Sequence, residues 1–306
     1  MNLLITGACG HIGSFISQNI YKIKKIKKTY LLDNLKSTQI NSLFNSKKKN
    51  NLKFYHDDLK NYSSLKKFKK IDYIIHLASL TNAESSFGRK KEMYENNLMC
   101  LKNVIRFCEQ YNVKLIHISS TSVYGKQAKI VDENCEKKYL KPQSPYADIK
   151  LIEENLLKKT KKLQYTTYRF GTISGISSGM RFHTAVNKFC LNVSLGSPVT
   201  VYETALNQYR PYLSLNDAFK VIKYTLENDF FKRDIYNALS ENCTVRQIID
   251  KIKVYKKNVK IKLVKSQIMN QLSYKVSKNK LNKSGLKLNG KISKDIKNTL
   301  ELIKYI

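Results

Sequence analysis

The chain opens with a glycine-rich turn between a short apolar run and a helical pattern, in "NLLITGACGHIGSFI" (2–16). The apolar run predicts a buried strand, and Gly7, Gly10 and Gly13 predict a tight turn that leads straight into a helix. Such a turn directs backbone N–H groups and a helix N-terminus at one point, an arrangement that binds pyrophosphate. The spacing is GxxGxxG rather than the more familiar GxGxxG, so the prediction depends on the location at the first strand–helix junction.

The same alternation of strand and helix continues through the first half of the chain. Short runs that are apolar almost throughout predict strands at 2–6, 29–33, 52–56, 73–78, 114–120 and 165–170. Helical patterns between them lie at 12–25, 94–111 and 145–159. Strands without a polar face are buried on both sides, and helices between such strands predict a parallel sheet. We therefore expect an α/β fold with a Rossmann-type doubly wound parallel sheet.

The pattern loosens after about residue 173. The elements predicted there are a loop at 173–180, a strand at 198–202, a helix with a strand-like entry at 212–228, and helices at 182–195 and 292–306. We divide the chain into a Rossmann domain (1–173) and a smaller C-terminal α/β substrate-binding region (174–306). The segment at about 211–240 is expected to pack back onto the first domain.

The net charge of the chain is +33, from 56 Lys and Arg against 23 Asp and Glu. A balance this basic raises nucleic acid and anionic membranes as partners. Only seven of the basic residues are Arg, the side chain that phosphate and base recognition favours, and the Lys residues are dispersed along the chain. We expect a solvated basic surface and no specific nucleic-acid partner.

The apolar pattern does not suggest a membrane protein. No apolar run approaches the length that crosses a bilayer, and the N-terminus lacks the basic segment of a signal peptide. The six Cys are scattered without a CxxC pair, which favours reduced thiols, and we expect no metal site. These features predict a cytoplasmic protein without a membrane partner.

An acidic residue follows the second predicted strand. Asp33 and Asn34 lie there in "YLLDNL", and Asp33 comes twenty residues after Gly13. A carboxylate at this place accepts hydrogen bonds from adenosine ribose hydroxyls and repels a 2′-phosphate, which favours NAD over NADP. A turn formed by the Asp-Asn pair is the alternative, and Lys36 nearby would offset part of the repulsion. Asp58, after the third strand, is either an adenine contact or a loop carboxylate.

Hydroxyl groups cluster at the end of the fifth predicted strand, in "HISSTSVYG" (117–125). Ligands bind at the carboxyl edge of a parallel sheet, so Ser120, Thr121 and Ser122 could donate hydrogen bonds to a substrate oxygen. The alternative is an ordinary turn rich in Ser and Thr.

The helix predicted at 145–159 has Ser144 as its expected N-cap and Pro145 as its first residue. Tyr146 and Lys150 are four residues apart and share one face of this helix. A chain with 20 Tyr and 56 Lys and Arg produces such pairs by chance, so the other motifs must decide their meaning. An ammonium beside a phenol, with the positive ring of an oxidised nicotinamide, would bring the phenol pKa from about 10 toward neutrality. A phenol tuned in this way suits the removal of a proton from a sugar hydroxyl.

Together these motifs resemble the extended short-chain dehydrogenase/reductase family, and within it the NAD-dependent nucleotide-sugar epimerases and dehydratases. The likeness extends over almost the whole chain and depends on the order and spacing of the motifs. The segments that carry it are "TGACGHIG", "LLDNL", "DDL", "IIHLAS", "YENNLMCLKNVI", "ISSTSVYG", "SPYADIK", "YRFGTISG", "RPYLSLNDA" and "YKVSKNKLNKSGLK". The resemblance implies NAD as the cofactor of the first domain, a nucleotide-diphosphate sugar as the substrate, and a homodimer.

The resemblance also implies roles for individual residues. Tyr146 would be the acid/base on the sugar hydroxyl, Ser120 would hydrogen-bond the same oxygen, and Lys150 would hold the nicotinamide ribose. The expected cofactor contacts are Gly7, Gly10, His11, Ile12, Gly13, Asp33, Asn34, Asp58, Leu59, Leu77, Ala78, Asn97, Ser119, Tyr146 and Lys150. The expected substrate contacts are Ser122, Thr172, Arg181, Asn187 and, at the diphosphate, Arg210.

Two departures from the family pattern narrow the chemistry that the resemblance implies. Dehydratases of the family carry Asp and Glu after the catalytic hydroxyl, where Thr121 and Ser122 stand here, so 4,6-dehydration is disfavoured. Thr172 stands where hexose 4-epimerases often carry Asn. The expected activity is epimerisation at C4 through a transient 4-keto sugar, and the alternative is a C4 dehydrogenase or 4-keto reductase. A non-catalytic protein that binds NAD and RNA is disfavoured because all three expected catalytic residues are present.

Overall fold

A computed structural model of the chain describes residues 1–38, 40–44, 51–68, 70–81, 86–265 and 273–305. The strands, numbered in chain order, are β1 (Asn2–Thr6), β2 (Lys28–Asp33), β3 (Leu52–His56), β4 (Tyr73–His76), β5 (Lys114–Ser120), β6 (Tyr165–Phe170), β7 (Thr172–Ser174), β8 (Val199–Tyr202), β9 (Tyr209–Ser214), β10 (Asp234–Ala238), β11 (Glu241–Thr244) and β12 (Ile261–Val264). The α-helices are α1 (His11–Asn19), α2 (Ser63–Lys66), α3 (Lys90–Tyr111), α4 (Pro145–Lys159), α5 (Ala185–Ser194), α6 (Leu215–Glu227), α7 (Val245–Lys253), α8 (Asn279–Lys283) and α9 (Ile292–Leu302). Within these described ranges, no helix combines the length and the apolar character needed to span a membrane.

Seven strands form one parallel sheet in the order β10–β6–β5–β4–β1–β2–β3. The chain runs outward from β1 to β3 on one side and then builds β4, β5 and β6 on the other side. This reversal leaves a crevice at the carboxyl ends of β1 and β4, which is where doubly wound sheets bind ligands. The predicted fold class, a Rossmann-type doubly wound parallel sheet, is confirmed.

Helices cover both faces of this sheet, which explains why its strands lack a polar face. Leu3 and Ile5 pack on one face in a buried cluster with Ile16 of α1 and Ile222 of α6. Leu4 lies between them in the chain and joins the opposite cluster, which α3 and α4 cover. Successive side chains of a strand point to opposite faces, so a strand covered on both sides is apolar at every position.

The smaller region contains two further sheets and three packed helices. β9 pairs in parallel with β7 and antiparallel with β11, while β8 pairs with β12. The helices α5, α7 and α9 bury a third cluster, which includes Val186, Ile248 and Ile296. Two elements of the segment 211–240 contact the first domain, because β10 pairs with β6 and α6 packs against α1.

Several elements differ from their sequence predictions, and α1 and β7 show two physical reasons. The helix α1 ends at Asn19 and is followed by a 3₁₀ turn at Ile20–Lys22, although the pattern predicts a helix to residue 25. The chain has to return to the sheet here, where the Lys27 N–H donates to the Met1 carbonyl oxygen at 2.8 Å. The strand β7 lies where a loop was predicted. No local pattern indicates it, because it forms by pairing with the distant β9.

The start of α4 agrees with its prediction. Ser144 Oγ accepts a hydrogen bond from the Ala147 N–H at 3.2 Å, and Pro145 occupies the first turn of the helix. The predicted cap is therefore confirmed, and it sets where Tyr146 and Lys150 lie relative to the sheet edge.

The glycine turn after β1 leaves no room for side chains. Gly7 has a φ of +69°, and a Cβ on it would lie 2.6 Å from the Ala78 backbone nitrogen. A Cβ on Gly13 would lie 2.4 Å from the Gly7 carbonyl oxygen. Because both contacts are with backbone atoms, the neighbours cannot move aside as a flexible side chain would.

Replacing Gly13 by Ala is expected to destabilise the fold by about 1–3 kcal/mol, because the new methyl group meets backbone on the β1 side of α1. Urea unfolding at neutral pH measures this loss. Gly88→Ala is the control, since a Cβ there has nothing within 4 Å, and it should change the free energy of unfolding by no more than about 0.5 kcal/mol. Equal effects at the two positions would contradict the close packing of the turn.

Candidate functional site

A cavity of ≈ 460 Å³ lies at the carboxyl edge of the large sheet, between the first domain and the smaller region. Of the residues predicted from the sequence, those that line it are Gly7, Gly10, His11, Ile12, Gly13, Leu77, Ser119, Ser120, Ser122, Tyr146, Lys150, Thr172, Arg181 and Arg210. Those that lie outside its wall are Asp33, Asn34, Asp58, Leu59, Ala78, Asn97 and Asn187. The fold thus brings most of the predicted residues together from segments that are far apart in the chain.

Ser120, Tyr146 and Lys150 meet where β5 ends and α4 begins. The Tyr146 hydroxyl is close enough to Ser120 for the Ser120 side chain to lower its pKa, and Lys150 Nζ lies 5.8 Å from the centroid of the Tyr146 ring. Ser122 supports Ser120 from the same turn, since its N–H and its hydroxyl both approach Ser120 Oγ, at 3.2 and 2.9 Å. The three side chains therefore lie within reach of a single substrate hydroxyl.

A buried carboxylate holds Lys150 in place. Lys150 Nζ donates to Glu153 Oε2 at 2.8 Å, and the same oxygen lies 3.0 Å from Nε2 of His117 on β5. Nδ1 of His117 lies 3.2 Å from Thr167 Oγ1 on β6, so the network runs from α4 into the sheet. His76 on β4 is also close, and burial lowers its pKa to about 3, which leaves it neutral. A charge taken out of water needs such a partner, because its desolvation costs several kcal/mol.

The pKa of Tyr146 is raised above that of a free phenol. Burial is the main cause and the Glu153 carboxylate adds to it, while Lys150 and the Ser120 hydrogen bond oppose it. The expectation from the sequence was a pKa moving toward neutrality under an ammonium and a nicotinamide. Lys150 does not achieve this alone, because burial outweighs its effect on the phenol. Among the chain's own groups, the balance keeps the Tyr146 phenol protonated at neutral pH.

Asp33 ties the glycine turn to the end of β2. Its Oδ2 accepts from the Cys9 N–H at 2.9 Å, and its Oδ1 accepts from the Leu35 N–H at 2.9 Å and from Thr38 Oγ1 at 2.8 Å. The Asp33–Leu35 bond is the turn that the sequence offered as the alternative interpretation. A carboxylate offers about four lone pairs, so Asp33 retains acceptor capacity for a ribose hydroxyl.

The predicted adenosine contacts lie beyond the cavity, at the ends of β2 and β3. Asp58 Oδ2 accepts from Lys36 Nζ at 3.2 Å and from Asn34 Nδ2 at 3.4 Å. Lys36 is thereby drawn toward Asp58, and its side chain remains mostly exposed. Leu59, next along the chain, is buried in the core. Asp58 thus links the loop after β3 to the loop after β2. Its contact with an adenine stays a prediction.

Asn97, Ala78 and Ser119 have structural partners in this geometry. Asn97 is buried and uses both ends of its amide on the backbone of Leu80, at 2.8 and 3.1 Å. The Ala78 N–H lies 3.4 Å from Thr6 Oγ1. The Ser119 hydroxyl donates to a buried Glu154 oxygen at 2.6 Å. These residues shape the crevice, and their proposed contacts with a cofactor stay predictions.

The predicted substrate contacts fall into two groups. Ser122, Thr172, Arg181 and Arg210 line the cavity. Asn187 lies outside the cavity wall, because it sits on the buried face of α5 and donates to the Arg181 carbonyl oxygen at 3.3 Å. In this structure Asn187 therefore holds the Arg181 backbone, and its contact with a substrate stays a prediction.

Some wall residues were not predicted from the sequence. Among them are Thr81, Gln143, Lys188, Tyr202 and Tyr274. They come from loops and from the smaller region, so their contacts depend on how distant segments meet. The only available signal was that Lys188 follows Asn187 on a helix predicted near the substrate. Among the described lining residues, Lys150, Arg181, Lys188 and Arg210 carry positive charge and none is a carboxylate, so the cavity suits a ligand with several negative charges.

The model of the NAD dependent epimerase/dehydratase family matches residues 3–238 of the chain. A dTDP-D-glucose 4,6-dehydratase of Dictyostelium discoideum is 31% identical over 244 residues, which cover 72% of this chain and 55% of that protein. An uncharacterized UDP-glucose epimerase of Bacillus subtilis, YtcB, is 27% identical over 237 residues, which cover 74% of this chain and 72% of that protein. The chain therefore spans little more than half the length of the Dictyostelium relative.

Solved structures agree in fold over nearly the whole chain. A UDP-glucuronic acid 4-epimerase from Bacillus cereus superposes with a TM-score of 0.86 at 23% identity and covers 99% of each chain. A Thermus thermophilus UDP-glucose 4-epimerase in complex with NAD gives a TM-score of 0.84 at 22% identity, with 100% of this chain and 99% of that chain covered. At these identities the structural likeness establishes the fold alone.

Replacing Glu153 by Gln should destabilise the fold by about 3–5 kcal/mol at neutral pH, because Lys150 would remain buried without a counter-charge. Burial alone would raise the pKa of Glu153, but Lys150 and His117 lower it from 4.5 to about 2. The stabilisation is therefore complete above pH 4.5 and is lost as the pH falls toward 2. Urea unfolding of both proteins across this range should show their difference shrinking as the pH falls.

Glu136→Gln is the matched control, because Glu136 forms an exposed pair with Lys138 at 2.8 Å. Its effect should stay below about 1 kcal/mol at every pH. A loss in Glu153→Gln that is as small as in this control, or that does not change with pH, would contradict the buried ion pair.

Proposed function

Because the chain belongs to the NAD-dependent epimerase/dehydratase family, we propose that it is a nucleotide-sugar epimerase that inverts C4 through a transient 4-keto sugar. The observation that carries this proposal is the composition of the cavity. Its described wall offers the Tyr146 and Ser120 hydroxyls together with several cations, and it contains no carboxylate. These groups suit reversible proton transfer on a substrate that carries a diphosphate.

The residues at the sheet edge fit NAD. The glycine turn presents backbone N–H groups at the start of α1 without side chains in the way, and Asp33 lies at the adenosine end with acceptor capacity left. Lys150 lies buried beside Tyr146, where it would hold the nicotinamide ribose. When bound, NAD supplies an acceptor for the hydride that leaves C4 and returns it to the other face of the sugar.

The proton is moved by the chain's own side chains. Tyr146 would take the proton of the C4 hydroxyl, and Ser120 would hydrogen-bond the same oxygen as the carbonyl forms. Lys150 would stay protonated, because Glu153 raises its pKa although burial alone would lower it. The 4-keto sugar would turn within the cavity of ≈ 460 Å³, and Tyr146 would then return the proton to the inverted hydroxyl.

The absence of a carboxylate among the described wall residues argues against 4,6-dehydration, the other chemistry of this family. Elimination of water in 4,6-dehydration requires a group that removes the C5 proton and an acid that protonates the leaving hydroxyl. Thr121 stands at that point, but it is buried and its hydroxyl donates to the Phe170 carbonyl oxygen at 3.3 Å. Ser122 directs its hydroxyl to Ser120 instead. We therefore favour epimerisation, although the Dictyostelium relative is named a 4,6-dehydratase.

The proposed substrate is a nucleotide-diphosphate sugar, and Arg210 on β9 is the proposed contact for its diphosphate. Arg210 lines the cavity on the side of the smaller region, and its charge acts on Tyr212 and Tyr274 there. A homodimer and a cytoplasmic location are further proposals from the sequence.

Tyr146→Phe should lower turnover of a nucleotide sugar by about 10²–10⁴-fold, because it removes the acid/base hydroxyl and leaves the ring in place. NAD should stay bound, since the phenol oxygen supplies little of its affinity. Turnover is measured by separating the sugar isomers, and bound NAD by mass spectrometry of the released nucleotide. Tyr139→Phe is the control, because Tyr139 is half exposed and remote from the cavity wall.

Unchanged turnover in Tyr146→Phe would exclude this mechanism. The wild-type reaction is followed in parallel by the absorbance of NADH. An inverted sugar without net NADH agrees with epimerisation, whereas NADH formed or consumed in stoichiometric amounts indicates the dehydrogenase or reductase alternative.

A further inference from the structure

A segment of the smaller region lies across the glycine turn. We call residues 175–181, between β7 and α5, the strap. The Gly175 carbonyl oxygen lies 2.9 Å from His11 Nε2, and the Gly179 N–H donates to Ser14 Oγ at 2.9 Å. A Cβ on Gly179 would lie 2.3 Å from the Cys9 carbonyl oxygen. The strap therefore contacts the start of α1 through the His11 and Ser14 side chains, and at Gly179 it lies directly against the backbone of the turn.

Arg181, the last residue of the strap, extends its side chain over the turn. Its Nη2 lies 3.9 Å from the position that a Cβ on Gly10 would occupy. Burial lowers the pKa of this guanidinium, and the attraction of the Asp33 carboxylate opposes that effect. Both observations place Arg181 on the cofactor side of the cavity.

The guanidinium of Arg181 lacks a counter-charge of its own. Within the described part of the chain, it has no hydrogen bond or ion pair, whereas Arg89 and Arg169 are both paired with Glu side chains. Asp33 does not pair with it, because the Asp33 oxygens accept from Cys9, Leu35 and Thr38 instead. A half-buried guanidinium that points into a cavity without a partner indicates an anionic ligand.

The turn itself indicates which anion this is. The N–H groups at the start of α1 and the fork of Arg181 converge on the same space above Gly10. A phosphate accepts from both, since backbone N–H groups and guanidinium are donors that match its oxygens. The charge of Arg210 acts on Tyr212 and Tyr274, whereas the charge of Arg181 acts on His11 at the start of α1, so Arg181 is the cation beside the turn.

We infer that Arg181 binds the diphosphate of NAD and closes over it from the substrate-binding region. Asn187 positions it, because the buried amide donates to the Arg181 carbonyl oxygen at 3.3 Å. The sequence prediction had assigned both residues to the substrate. The inference rests on the cofactor site of the proposed function and is independent of the C4 chemistry.

The experiment compares ligands that differ in their diphosphate. After removal of copurified nucleotide, NAD, ADP and adenosine are titrated by calorimetry into the wild type and Arg181→Ala at one salt concentration. Loss of the guanidinium should weaken the binding of NAD and of ADP by about 10- to 100-fold. Adenosine should bind within about twofold of the wild type, because it has no phosphate for Arg181 to contact.

Two further variants separate contact from net charge and from folding. Arg246→Ala removes the same charge from an exposed site, so it should leave all three affinities nearly unchanged. Arg181→Lys keeps the charge without the planar fork, and it should recover part of the affinity for ADP. Arg181→Lys and Arg181→Ala together also report whether position 181 is needed for a folded chain.

Three results would overturn the inference. NAD and ADP affinities that are unchanged in Arg181→Ala, with a raised KM for the nucleotide sugar, would make Arg181 a substrate contact. An equal loss for adenosine and ADP would mean that the strap had rearranged and that Arg181 has a structural role. If Arg246→Ala lost as much affinity for NAD and ADP as Arg181→Ala, the effect would come from net charge and not from a contact of Arg181. A wild type that binds none of the three ligands would instead refute the proposed cofactor site itself.

Discussion

The buried ion pair between Lys150 and Glu153 determines the geometry of the site. Lys150 is only 4% exposed, and a charge in that position needs a partner at hydrogen-bond distance, which Glu153 provides at 2.8 Å. Glu153 in turn contacts His117 on β5, so α4 is fixed against the sheet at the place where β5 ends. The positions of Tyr146 and Ser120 follow from this attachment, because one lies on α4 and the other at the end of β5.

The same pair limits what Lys150 does to Tyr146. Because the Glu153 carboxylate lies beside the Lys150 ammonium, it offsets part of the effect of that ammonium on Tyr146. Burial is the larger effect and raises the pKa of the Tyr146 phenol. The remaining source of positive charge in the proposed mechanism is the oxidised nicotinamide. In the proposed mechanism, ionisation of Tyr146 would thereby depend on the bound oxidised cofactor, because the chain's own groups keep the phenol protonated. A mechanism of this kind favours a cofactor that stays bound between turnovers. The inferred contact of Arg181 with the diphosphate would help to retain the cofactor.

The sequence predicted those parts of the fold that depend on local pattern. The large-sheet strands of the first 173 residues were predicted from apolar runs, and the start of α4 was predicted from Ser144 and Pro145. Both predictions succeed because helix capping and strand burial depend on residues that are adjacent in the sequence. The strand β7 was missed because its pairing partner lies about forty residues away. Arg181 was assigned to the substrate from its resemblance to the family alone, and only the folded strap brings it over Gly10. Glu153 was not singled out, since a carboxylate three residues after a lysine has no meaning until the helix is buried.

The most direct measurement of the proposed C4 inversion uses a nucleotide sugar that carries deuterium at C4, in ordinary water. The fate of the deuterium is read by NMR of the product. If Tyr146, Ser120 and Lys150 act on the C4 hydroxyl as proposed, the product is the C4 epimer and retains its deuterium at C4. Deuterium transferred to C6 with loss of water would reveal a dehydratase, and deuterium accumulated on the reduced cofactor would reveal a net oxidoreductase. Either result would contradict the proposed epimerisation.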